Sequence, residues 1–158
     1  MFSMLRRSLA FRRKVHRAGL RIVGTGQLPP EAIRWHREDD PASVTFTVHF
    51  SPHLSLLHRY QEWGENLWPV FQRTAYYRWH RSLRGFQHPR PDDWIEAMGR
   101  RLVNLYLDIQ RNGYRCQSVA DRIAVLEDGR LWDGGHRLAC LTALGWAEVP
   151  VVKLERRP

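Results

Sequence analysis

From Asp92 to Asn112 the apolar positions Ile95, Met98, Leu102, Leu105 and Ile109 recur at spacings of three and four, the period of one helical face. Asp92 or Asp93 supplies an acidic first turn and Gly113 a stop, so the spacing predicts a helix over 92–112, tolerating Gly99 inside it, that buries its stripe against a sheet. The period changes earlier in the chain. Val44, Phe46, Val48 and Phe50 alternate with Thr45, Thr47 and His49, as expected of a strand with one buried face. Ser51 and Pro52 then offer a cap and a first helical position for a helix running to about Trp63 and closed by Gly64. A further helix is expected over roughly 70–83, with Phe71, Tyr76, Tyr77 and Trp79 as its bulk, followed by a loop from Gly85 to Pro91.

At the other end of the pattern, Ile123 to Leu126 is a short apolar run, Glu127-Asp128-Gly129-Arg130 carries an Asp-Gly hairpin signal, and Leu131-Trp132 resumes the extended run. After Gly134-Gly135, residues His136 to Leu144 keep Leu138, Ala139, Leu141 and Ala143 apolar and stop at Gly145, which predicts a helix. Val149 to Leu154 returns as a strand. Near the start, Met1 to Ala18 fits a helix with a ragged apolar stripe of Phe2, Leu5, Leu9, Phe11 and Val15, ended by Gly19. Leu20 to Val23 reads as a short strand and Gly24 to Pro30 as a loop or linker. Strands and helices that do not alternate regularly predict an α+β fold, a small mixed β-sheet packed with helices.

Composition narrows the class. A chain of 158 residues with 43% hydrophobic content is enough for one folded core. No apolar run reaches the length of a membrane span, and the chain is expected to be cytoplasmic: Cys116 and Cys140 lie far apart and suggest neither a disulfide framework nor a metal pair. The net charge of +9 is uneven, with Arg6, Arg7, Arg12, Arg13, Lys14, Arg17 and Arg21 preceding any acid. That basic segment has three uses open to it: packing on the domain, lying on an anionic membrane, or touching nucleic acid or an acidic partner.

The run Asp133-Gly134-Gly135-His136-Arg137 is the main candidate for chemistry. Two glycines leading into a helix let backbone approach a ligand closely, while the first free N–H groups and the helix dipole favour an anion. Gly134, Gly135, His136 and Arg137 are therefore candidate phosphate-binding residues, Arg137 through its planar fork of donors. Asp133 is a candidate for holding a divalent metal or for orienting an acceptor hydroxyl, and it reads equally as a turn acid. His53 is a candidate base that reads equally as a packing residue. Trp63, Trp68, Tyr76, Tyr77 and Trp79 fit either core packing or a stacking wall. Neither a GxSxG elbow nor a P-loop motif is present.

The spacing over Ile123 to Leu154, an Asp-Gly hairpin, Asp-Gly-x-His-Arg, an apolar helix, Leu-Gly and Val-Pro-Val, resembles the core of the ParB/sulfiredoxin superfamily. The resemblance implies a domain over 43–158 with a helical insertion at about 52–90, preceded by a basic segment at 1–22. It also implies that the glycine loop and helix start bind the phosphates of ATP, ADP or CTP with Mg2+. Gly135 stands where sulfiredoxins carry their reactive Cys, which disfavours that activity, and no acid matches the base of the free-serine kinases, where Ser51-Pro52-His53 stands. The expected function is nucleotide binding, extending to a phosphotransferase or NTPase acting on a small-molecule or protein acceptor. The alternative is a partition-protein-like module or non-catalytic accessory protein that uses nucleotide as a switch, touching DNA or an anionic surface through residues 1–21.

Overall fold

The structure, a computed structural model, describes residues 2–35, 46–47, 52–82 and 90–157. Its core is a mixed sheet of four strands in the order β1 (Leu20–Leu28), β6 (Val149–Arg156), β4 (Ile123–Leu126) and β5 (Leu131–Asp133). The α+β class and small mixed sheet expected from the pattern are what the chain forms. β4 and β6 run parallel, with Ile123 opposite Val151 and Leu126 opposite Leu154, while β1 and β5 are antiparallel to their neighbours. β4 and β6 are central strands buried on both faces, and their near-continuous runs of Val, Ile and Leu follow from that position.

Period-two alternation sends these runs to opposite layers. Ile123, Val125, Val149 and Val151 join Leu56, Leu57, Phe71, Leu102, Leu138 and Leu141 in the larger core, beneath helices α2 (Pro52–Trp63), α3 (Ala75–Ser82), α4 (Asp92–Asn112) and α5 (Gly135–Ala143). Ala124, Val152 and Leu154 face the other way and pack with Leu20 and with Phe11 and Val15 of α1 (Phe2–Arg17). The helix that opens the chain is thus packed on the domain: Phe11 and Val15, four residues apart, are buried, and Arg6, Arg12, Arg13 and Arg17 remain exposed. None of the described helices is long and apolar enough to cross a membrane.

Three expectations change. Gly24 to Leu28, read as part of a loop, continues β1, which pairs with β6 as far as Leu28–Val149 and has a bulge between Ile22 and Gly24. The helix expected over 70–83 divides into a 3₁₀ segment over Gly64–Arg73 and α3, because Thr74 is extended. The Thr74 hydroxyl donates to the Phe71 carbonyl at 2.7 Å and accepts from the Tyr77 N–H at 3.1 Å, so it ends one segment and caps the next. Finally, α4 packs chiefly on α5 and α2, and its buried stripe shares the larger core with the sheet. Of the strand expected over 44–50, the described part is β3 (Phe46–Thr47), paired with β2 (Arg34–Trp35) outside the main sheet. The rest of that strand, Ser51, the end of the expected helix at 83 and residues 85–89 of the expected loop lie outside the described residues.

Gly99 explains how α4 comes so close to α2. A Cβ built there would meet the Phe71 ring at 2.8 and 2.9 Å and the Leu56 methyl at 3.4 Å, and Phe71 is itself buried, so the ring cannot swing into solvent. Gly99→Ala should therefore destabilise the fold by about 1–2 kcal/mol, overpacking outweighing the ~1 kcal/mol gained in helix propensity. Urea denaturation at pH 7 reads this directly, and a stabilised variant would show that the α2–α4 contact is loose.

Candidate functional site

β5 ends at Asp133 and the chain turns into α5 through Gly134, whose φ of 96° is left-handed and whose missing Cβ would stand 3.3 Å from the Ile123 Cα. Only glycine fits that turn. Gly134 is also the N-cap position of α5 and provides no side-chain cap, so the N–H groups of Gly135, His136 and Arg137 begin the helix without one. The Gly134 carbonyl accepts the first helical bond from Leu138 N at 2.9 Å.

This uncapped turn forms one wall of a cleft of about 1100 Å³. α1 contributes Arg7, Phe11 and Lys14, positions that share a helical face, and α4 contributes Met98, Arg101, Leu105, Asp108, Ile109 and Asn112 along one of its own faces. Tyr114, Arg115 and Asp121, on the way to β4, complete it. All of Asp133, Gly134, Gly135, His136 and Arg137 line the cleft together. Sequence reading did not single out Arg7, Lys14, Arg101 or Arg115 as site residues, although the spacing of 7, 11 and 14 and of 98, 101, 105, 108 and 112 would have marked two faces.

The carboxylates of the cleft are all held by protein groups. Asp133 Oδ2 accepts from Lys14 Nζ at 2.8 Å and Oδ1 from the Gly134 N–H at 2.7 Å. Asp121 accepts from the Ser118 N–H and hydroxyl at 2.8 and 2.9 Å, and Asp108 from Asn112 Nδ2 at 2.7 Å. In contrast, Arg7, Arg101 and Arg115 make no salt bridge among the described residues. The uncompensated charge facing the cleft is thus positive, beside the positive end of a helix dipole.

Arg137 is anchored. Its Nη1 donates to the Ala120 carbonyl at 2.6 Å, and its guanidinium lies over Gly134, which ties the 114–121 segment to the turn. The Tyr114 phenol donates to the Asp121 carbonyl in the same segment, and burial raises its pKa. Arg137 thus braces the turn from within the lining of the cleft.

His53 stands behind the cleft and does not line it. It is buried, 4% exposed, against Tyr76 and Trp79, and its ring centroid lies 5.0 Å from that of His136. His136 therefore stands between His53 and the cleft. Burial, then the nearby His136 and His80, holds the His53 pKa well below 6.5; burial, then Arg101 and Arg137, lowers that of His136 to about 4. Both imidazoles are neutral at pH 7. The aromatics weighed as a stacking wall are divided: Tyr76 is core, Trp68 stacks under Arg100, whose guanidinium carbon lies 4.1 Å from its ring centroid, and Trp63 is exposed beside Arg59. None of them lines the cleft.

A folded-state pKa lowered below the unfolded value makes the unfolded chain the better proton acceptor, so this stability is present above pH 6.5 and is lost as pH falls toward 4. Each imidazole contributes a slope of up to about 1.4 kcal/mol per pH unit in that window. His136→Phe keeps a ring in the site and removes one titration, and urea denaturation between pH 7 and 4.5 should give a slope shallower than wild type by about one proton. Equal slopes would contradict the buried neutral pair.

Comparison with protein-family models, curated proteins and solved structures finds no match to this chain.

Proposed function

We propose that this chain binds a nucleotide, ATP, ADP or CTP, in the cleft between α1 and α4, with its phosphates on the first turn of α5. The observation that carries the reading is the pairing of an uncapped helix N-terminus with three guanidiniums, Arg7, Arg101 and Arg115, that make no salt bridge among the described residues and face the same space. The N–H groups of Gly135, His136 and Arg137 would meet phosphate oxygens, and the guanidiniums would neutralise the remaining charge. Phe11, Leu105, Ile109 and Tyr114 offer the apolar wall that a base or sugar needs, in a volume of about 1100 Å³, just above the roughly 300–1,000 Å³ of ligand pockets. The resemblance of residues 123–154 to the ParB/sulfiredoxin superfamily points to the same ligand class.

Turnover as a phosphotransferase or NTPase would fall to Asp133, the carboxylate adjoining the seat, with His136 between His53 and any acceptor. A second reading, an accessory module that uses nucleotide as a switch, is favoured by one feature: Arg6, Arg12, Arg13 and Arg17 of α1 are exposed, as a contact with DNA or another polyanion would require. Free Cys116 and Cys140 fit a cytoplasmic location.

Arg101→Ala tests the nucleotide reading, since Arg101 is exposed and its loss leaves the core intact. Saturating ADP, ATP or CTP should raise the melting temperature of wild type by several degrees, as mass action on the folded state requires, and Arg101→Ala should bind about tenfold more weakly. A full nucleotide panel without effect on wild type would overturn the proposal.

A further inference from the structure

We propose that the Lys14 ammonium is the cation that stands on Asp133 in this seat, so that nucleotide phosphates are held without a divalent metal there. The inference rests on the nucleotide reading and concerns how the same site meets charge. A resident Mg2+ would demand a near-octahedral shell of oxygens, anchored by one or two carboxylates with open lone pairs. At Asp133 a cation already stands in that place. Asp133, the natural ligand, accepts from Lys14 through Oδ2 and from the Gly134 N–H through Oδ1. Asp108 accepts from Asn112 through Oδ1, and Asp121 from Ser118 through Oδ2.

Lys14 is built into this position from several directions. Phe11 and Val15, on either side of it in α1, are buried against Ala124, Val152 and Leu154, which fixes the helix on the sheet. Phe11 meets the Trp132 ring edge-on at 6.1 Å, and the Lys14 ammonium lies 4.9 Å from the centroid of the same ring. Trp132 precedes Asp133, so one short stretch of β5 holds the ammonium through both its ring and its carboxylate. An ammonium has three donors and no acceptor. With one N–H on Asp133 and 58% of the side chain exposed, the others remain available to a phosphate oxygen in the cleft. The ammonium thus does what a bridging metal does between carboxylate and phosphate, and α1 becomes a required wall of the site.

The test is calorimetric titration of ADP in EDTA and in Mg2+ for wild type and Lys14→Met, with circular dichroism and melting confirming that the fold persists. Methionine keeps the apolar stem against Trp132 and removes the charge. Wild type should bind with affinities that agree within about threefold in the two buffers, and Lys14→Met should bind about tenfold more weakly in EDTA, with Mg2+ recovering part of the loss by occupying the vacated Asp133 oxygen. Wild-type binding that requires Mg2+, or Lys14→Met binding in EDTA as tightly as wild type, would overturn the role of Lys14 while leaving the cleft a nucleotide site. Absence of any ADP binding by wild type in either buffer, repeated with ATP and CTP, would overturn both.

Discussion

The left-handed turn at Gly134 is the constraint on which the rest of the site depends. It presses backbone against the Ile123 Cα of β4, and any side chain there would force β4 and the start of α5 apart. From that contact α5 sets off with Leu138, Ala139 and Leu141 turned into the core and its first N–H groups turned outward. Arg137, one turn in, reaches back to the Ala120 carbonyl and fixes the segment that leads into β4. A single backbone geometry therefore couples the central parallel pair, the larger core and the cleft-facing end of the helix.

The two layers on either side of the sheet make the cleft. Period-two alternation in β4 and β6 gives each strand two buried faces, so α1 can pack on one side while α2 to α5 pack on the other. Beyond Asp133, where β5 ends, α1 brings Arg7 and Lys14 from one layer and α4 brings Arg101 from the other. The charge at the start of the chain is thereby split by function. Phe11 and Val15 hold the helix, Arg7 and Lys14 face the cleft, and Arg6, Arg12, Arg13 and Arg17 remain on the surface. The neutral imidazole of His136 lines the cleft with that of His53 packed behind it, and their titration contributes to acid sensitivity.

Where local chemistry and tertiary packing agree, the elements were legible in the sequence. Asp128-Gly129 makes the β4–β5 hairpin, Pro52 and Gly64 bound α2, and Gly113 and Gly145 stand just beyond the ends of α4 and α5. Gly24 and Gly26 misled because glycine is a turn signal read locally, whereas pairing with Lys153 and Val151 of β6 determines their conformation. Thr74 divides the expected helix over 70–83 through a hydroxyl hydrogen bond that the aromatic pattern conceals. That Asp133 to Arg137 would lie together was legible, since those residues are contiguous. Lys14 and Asp133, 119 positions apart, meet only through the packing of α1, and no local spacing encodes that distance. His53 showed a residue type suited to a base, but its burial behind His136 is a tertiary outcome.

The most direct measurement of the central claim is a titration of the 15N-labelled protein with ADP, followed by amide proton–nitrogen correlation spectra. The account predicts the largest amide shifts at Gly135, His136 and Arg137, with accompanying changes at the Nε–H resonances of cleft arginines, because phosphate oxygens would replace water on those donors. Shifts confined to the outer surface of α1, or an unchanged spectrum at millimolar ADP, ATP and CTP, would contradict it.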